Sequence, residues 1–253
     1  LVPPCDGLGA TGTSNPDLAE NGVVRRHHGI VGGADLTVAD HGWEDPVLRI
    51  TIERVLVYSV SVTNLTDGQP VTPTVFATHE GSAAIFAAGH AASNGVQQLA
   101  ENGGVPVLVE ELGATAGFGT VAVVGSAPIL PGETATTEVI VDDAYGYASL
   151  AGMLVCTNDG FGGVGALHLP QTVGEQAHAY GSAYDAGTEI NTEAYVDLVP
   201  PCDGLGGTGM SNPDLAENGV VTMHAGIAGG ADLVPEIHGW DGPVLSVTVE
   251  RVG

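Results

Sequence analysis

Tyr184-Asp-Ala-Gly-Thr-Glu189 places two carboxylates, Asp185 and Glu189, four residues apart around a glycine that lets the backbone fold back on itself. A hard cation such as Ca²⁺ takes about six to eight oxygen ligands, and a compact acidic turn supplies them as carboxylates, main-chain carbonyls and water. A third carboxylate stands upstream, where Met153-Leu-Val-Cys156 reads as a buried strand running into Thr157-Asn-Asp-Gly160, with Asp159 at the exit beside a permissive glycine. The chain carries 30 acidic residues, most of which must face solvent, so spacing alone leaves a cation site and a plain acidic surface both open. Other chemistry finds less support. The nine histidines (27, 28, 41, 79, 90, 168, 178, 224 and 238) show neither the helical i, i+4 pairing nor the Cys/His spacing of a zinc site. There is no Gly-x-Ser-x-Gly elbow and no phosphate loop. Asp185 and Glu189 could serve as a glycosidase pair, but carboxylates crowded on one cation cannot also shuttle a proton freely.

The elements that would position these residues are short strands. Segments rich in β-branched residues and bounded by turn residues predict strands near 56–64, 71–79, 119–125, 134–141, 147–156 and 243–252. A helix is predicted over Val96–Glu101, capped by Ser93 or Asn94 and stopped by Gly103, and a helical turn after each of Asn15-Pro16 and Asn212-Pro213. Many strands with few helices make an all-β, antiparallel sandwich. Leu1–Val55 recurs as Leu198–Val252 at a constant offset of 197, with about 40 of the 55 positions identical, including Trp43/Trp240 and His27/His224. The chain therefore reads as residues 1–55, the tail of one domain, followed by a whole domain over 56–253. Pro46–Val55 alternates like a strand and continues without Gly or Pro into Leu56–Thr63, which makes a stiff junction between the two.

All five basic residues are Arg, and the formal charge of −25 repels phosphate, which excludes nucleic acid as a partner. Such a lysine-free acidic surface reads as adaptation to high salt, of the haloarchaeal kind, where screening removes the cost of self-repulsion. A 43% share of hydrophobic residues is enough for a core and argues against disorder. No run of 18 apolar residues is available to span a membrane.

The run Tyr58–Pro70, then Thr72-Pro73, Ala77-Thr-His79, Phe86-Ala-Ala-Gly89, Leu99-Ala-Glu-Asn-Gly103, Pro131-Gly132, Ser149-Leu150, Met153, Thr157-Asn-Asp159 and Tyr184–Glu189 resembles the spondin N-terminal (F-spondin) domain. The likeness covers roughly 56–252. It implies a β-sandwich resembling C2 domains, found in secreted matrix proteins, that holds Ca²⁺ through an Asp after a core strand and two acidic residues of a D-A-G-T-D/E turn. Carried onto this chain, those are Asp159, Asp185 and Glu189, with Glu where the best-studied animal members have Asp. A further acidic ligand from the preceding strand would be Glu138 or Asp142.

Cys5 and Cys202 share a repeat position, so Cys156 is the natural partner of Cys202, and Cys5 needs a Cys156 equivalent from another repeat or molecule. The alternative is three reduced thiols. The single sequon, Asn64-Leu-Thr66, is either a glycosylation site or a turn whose Asn caps the loop. The reading that follows is an extracellular, Ca²⁺-binding, cell-surface or secreted sandwich in a head-to-tail fibre of copies of itself. Its rivals are a monomeric module binding surface or matrix glycans or proteins, and a secreted hydrolase.

Overall fold

Tyr58, Val60 and Val62 alternate with Ser59, Ser61 and Thr63, and the chain forms strand β1 (Leu56–Asn64) with the first set buried and the second partly in water. On that wetter face Ser61 and Thr63 pair with Thr136 and Thr134 through hydroxyls 2.8 Å apart, the cross-strand contacts that fix register. The computed structural model describes residues 16–33, 36–44, 46–52, 55–141, 145–202 and 211–253. Cys5 and Asp142 lie outside them. The chain divides into two compact units, Leu1–Glu53 and Arg54–Gly253.

The second unit is an antiparallel β-sandwich. Its further strands are β2 (Thr74–His79), β3 (Phe118–Val124), β4 (Thr134–Val141), β5 (Tyr147–Met153), β6 (Gly160–His168), β7 (Gln176–Asp185), β8 (Thr222–Met223) and β9 (Leu245–Arg251). They are ordered β3-β2-β5-β6-β7-β9-β1-β4, with β8 added on β7. β7 joins the two halves of the sandwich, pairing with β9 over Gln176–Gly181 and with β6 over Ser182–Asp185. Gly181 stands at the switch because a Cβ there would meet the Gly163 carbonyl at 3.0 Å and the Leu245 side chain at 3.1 Å.

One core lies between the sheet faces around Tyr58, Phe76, Leu150, Leu245 and Val247. A second lies under two helices, α2 (Asn94–Asn102) and α3 (Val105–Ala114), where Val96, Leu99, Leu108 and Leu112 meet Val75, Ala77 and Phe161. β2 is covered on both faces, and all six of its residues are buried, the polar Thr74, Thr78 and His79 included. The predicted cap of α2 is in place: Ser93 Oγ accepts from the Val96 amide, and Gly103 closes the helix at φ 63°. The sequence-based expectations missed β6, β7, β8, α3 and the short helices at Val38–His41 and Pro235–His238.

The first unit holds a one-turn 3₁₀ helix at Pro16–Leu18 and a short helix, α1 (Val38–His41), whose counterparts in the second unit are a 3₁₀ turn at Pro213–Leu215 and α4 (Pro235–His238). The strand expected over Pro46–Val55 does not form within 46–52, and β1 begins only at Leu56. The reason is physical: an alternating segment becomes a strand only when a neighbour takes its amides and carbonyls.

Asn64 is fully buried. Its Nδ2 donates to the carbonyls of Gln69 and Ile129 at 2.6 and 2.9 Å, and its Oδ1 accepts from the amide and hydroxyl of Thr66. That is a loop cap, with both Nδ2 hydrogens engaged.

Candidate metal centre

β5 ends at Met153, and the next six residues form a tight loop leading into β6. Thr157 Oγ1 donates to the Leu154 carbonyl at 2.6 Å and accepts from the Gly160 amide at 2.9 Å. A Cβ at Gly160 would stand 2.5 Å from that hydroxyl, so the glycine beside Asp159 is required by packing. Within the loop Cys156 is joined by a disulfide to Cys202, in a third core with Met153, Val155, Leu198, Val199 and Leu233. Gln69 holds the same point, accepting from the Cys156 amide at 2.8 Å and donating to the carbonyls of Cys156 and His238.

The acidic turn after β7 folds against this loop. β6 and β7 pair Gly160 with Asp185, and the Ala186 amide donates to the Asp159 carbonyl at 3.1 Å. Gly187 turns the backbone at φ 69°, packed against Gly219 and Val220. A Cβ there would lie 2.6 Å from the Val220 carbonyl oxygen and 2.7 Å from its amide nitrogen. Gly187→Ala is therefore expected to cost at least about 1–3 kcal/mol from the backbone conformation alone. Urea denaturation measures it, and the calcium affinity proposed below should fall in the same variant.

The turn brings Asp159 and Glu189 together. Asp159 Oδ2 accepts from the amides of Thr188 at 2.7 Å and Glu189 at 3.0 Å, while Asp159 Oδ1 is buried with no partner. Glu189 Oε1 accepts from the Asn212 amide at 2.8 Å, and its Oε2 is likewise buried and unpartnered. Asp185 is half-buried, its two oxygens accepting from the Gly187 amide at 2.8 Å and from Asn191 Nδ2 at 2.6 Å.

Burial pushes the Asp159 carboxyl up to about 6, with the Asp185 charge adding to it and the Thr188 and Glu189 amides opposing. Burial likewise pushes Glu189 up to about 7, opposed by the Asn212 amide and reinforced by the charges of Glu101, Asp159 and Asp197. Asp159, with Oδ1 open, and Glu189, with Oε2 open, are thus the groups able to hold a hard cation, and Asp185 stands beside them as a third acidic group.

Among the described residues, the trio of His, Cys, Asp or Glu with ligand atoms all within 4.8 Å of one another is Cys156, Cys202 and His238, and its two sulfurs are spent on the disulfide. Asp159, Asp185 and Glu189 do not close to that spacing. Glu138 is exposed on β4, opposite Ser59 of β1. The further acidic charges acting on Glu189 come instead from Glu101, at the end of α2, and from Asp197. The signal for Glu101 was in the sequence, as a carboxylate just before the Asn-Gly stop of a predicted helix.

A sandwich whose acidic interstrand loop is tied down by a disulfide and closed by a D-A-G-T-E turn defines the class of protein. Residues 69–195 match the family model of the spondin N-terminal domain (Spondin_N), about half of the chain, and the chain belongs to that family. No curated protein matches the sequence. The family is one of extracellular, non-catalytic modules, and the disulfide accords with an oxidising compartment. No helix among the described residues is long and apolar enough to cross a membrane.

Proposed function

We propose that this protein is a calcium-stabilised structural or adhesive module of the cell exterior, serving as a repeat or subunit of a surface fibre built from copies of itself. The observation that carries the calcium reading is the pair of buried, unpartnered oxygens, Asp159 Oδ1 and Glu189 Oε2. Leaving ionised carboxylate oxygens buried without a donor costs several kcal/mol, about 1–3 or more for each. A bound divalent cation supplies the missing charge and coordination at once. Its contribution is structural: it clamps the loop before β6 to the turn after β7.

The residues prepare that role without the ion. The disulfide and Gln69 fix the loop, and the Thr188 and Glu189 amides fix one oxygen of Asp159 and leave the other for the ion. The excess of acidic over basic residues, 30 against 5, supports a surface that works in high salt.

Binding of a glycan is a second reading, and one feature favours it. A cleft of about 260 Å³ beside Glu189 is lined by Gln97, Gln98, Ser211 and Asn212 together with Pro213 and Ala216, a mixture of polar and apolar groups suited to a sugar's hydroxyls and ring face.

Thermal unfolding at constant high NaCl, in chelator and then in excess Ca²⁺, tests the main reading. Calcium at a thousand times its Kd is expected to add about 4 kcal/mol. Identical melting in the two conditions would contradict it. A glycan reader would instead keep its stability in chelator and respond to sugar.

A further inference from the structure

The duplicated segment occurs in two states within one chain. In the second unit Val244, Leu245, Val247 and Val249 are fully buried, and β9 lies hydrogen-bonded between β7 and β1. Their counterparts in the first unit, Val47, Leu48, Ile50 and Ile52, are 62, 77, 81 and 91% exposed and belong to no strand.

Nevertheless, several local contacts of the duplicated segment are present in both copies. The His27 and Trp43 rings meet with centroids 5.2 Å apart, tilted by 47°, and those of His224 and Trp240 meet at 5.1 Å, edge-on at 66°. The Gly29 amide donates to His27 Nδ1 at 3.0 Å, and the Gly226 amide to His224 Nδ1 at 3.0 Å. The His41 amide donates to the Thr37 carbonyl as the His238 amide does to that of Val234.

A second difference concerns the host. In the second unit the Glu193 carboxylate, on a residue at φ 56°, accepts from the amides of Ala228 at 2.5 Å and Gly230 at 2.6 Å. The Gly33 amide, equivalent to that of Gly230, turns instead to the Leu36 carbonyl at 3.0 Å. The first unit thus keeps the internal contacts of a closing segment, while its sheet-facing residues are exposed.

We infer that residues 46–52 are a preformed β9 for a second copy of this domain, one repeat upstream in the same polypeptide, lying between that copy's equivalents of β7 and β1. The offset of 197 equals the span of residues 56–252, so residues 1–55 are in phase with the end of a preceding repeat. In the domain over 56–253 the place between β7 and β1 is already taken by β9. In such an array Cys5 meets the upstream equivalent of Cys156, and the upstream equivalent of Glu193 receives the amides of Val31 and Gly33. The strand that closes one domain leads through Val55 into β1 of the next, which couples successive domains without a flexible linker. This rests on reading the chain as a repeat of a fibre.

The test is amide exchange on two proteins: the full chain 1–253, and the same chain preceded by a second copy of residues 56–197. In the first, amides of 46–52 should exchange at nearly the rate of an unstructured peptide. In the second they should slow on the order of a thousandfold, to the level of 243–249, and mass spectrometry should find Cys5 bonded to the added Cys156. Placing I50D and I52D together should abolish the protection and leave 243–249 protected.

Rapid exchange at 46–52 in the longer chain, folded or not, would overturn the inference, as would full protection of 46–52 in the shorter one. Calcium-dependent melting of 56–253 is read separately in both proteins, so a failure here is distinct from a failure of the calcium reading.

Discussion

In calcium-free protein the melting temperature is expected to fall as pH rises from about 4 to about 7, and saturating calcium is expected to reverse that slope. Asp159 and Glu189 carry folded-state values of about 6 and about 7, against ordinary values of 3.8 and 4.5. A carboxyl that holds its proton more tightly when folded contributes stability below its unfolded value and loses it as pH rises through the folded one. The window therefore runs from about 4 to about 7. The two groups together are worth a few kcal/mol, less than the sum of their separate shifts because they interact. For a domain of this size that is on the order of 10 °C.

On the proposed reading calcium takes only the ionised pair, so the stabilisation it adds should grow across the same window. His224, pushed down by burial, gains stability with rising pH in the upper part of that range, and so opposes the calcium-free trend. The decisive quantity is therefore the difference between the wild type and Asp159→Asn. The variant should lose much of the calcium-free decline and all of the calcium-dependent gain, as read by melting curves at matched ionic strength. A calcium gain that persists in Asp159→Asn would contradict the assignment of that residue.

Cys202→Ser is expected to remove about 4 kcal/mol of stability, the loop-closure entropy of a 46-residue separation. The loss falls in a small core, where Met153, Leu198 and Leu233 pack round the bridge, and it frees the chain three residues before Asp159. Stability and calcium affinity should therefore fall together. A comparable loss on reducing the wild-type protein in urea checks that the effect belongs to the bond. A variant with unchanged urea midpoint would show that the neighbouring Gln69 hydrogen bonds hold the loop by themselves.

How much of this could be read in the chain varies with how local the signal is. β1 and β4 alternate in sequence as they do in the sheet, and the ends of α2 follow from Ser93 and Gly103 alone. The pairing of Cys156 with Cys202 followed from the repeat position that Cys202 shares with Cys5.

β6 was illegible because its glycines answer to tertiary contacts. A Cβ at Gly163 would lie 2.5 Å from the Phe86 ring, and one at Gly162 would lie 3.0 Å from Leu245. No count of β-branched residues anticipates such a strand. α3 hid for the converse reason, since Val105-Pro-Val-Leu-Val109 has strand-like composition and becomes helical against α2. In the site, Asp185 and Glu189 share one turn and stood out in the sequence, and Asp159 stood out beside its glycine in a separate loop. Glu101 and Asp197 reach Glu189 through the fold, and Glu138, a candidate further ligand by the family resemblance, is exposed on β4. Residues 46–52 carry a correct strand pattern without a sheet to receive it.

The most direct test of the central claim is calorimetric titration of Ca²⁺ into chelator-treated protein, at neutral pH and fixed high NaCl, with Asp159→Asn alongside. One ion bound per chain by the wild type, with none bound by the variant, is the predicted result. No uptake by the wild type, or equal uptake by both proteins, would contradict the account.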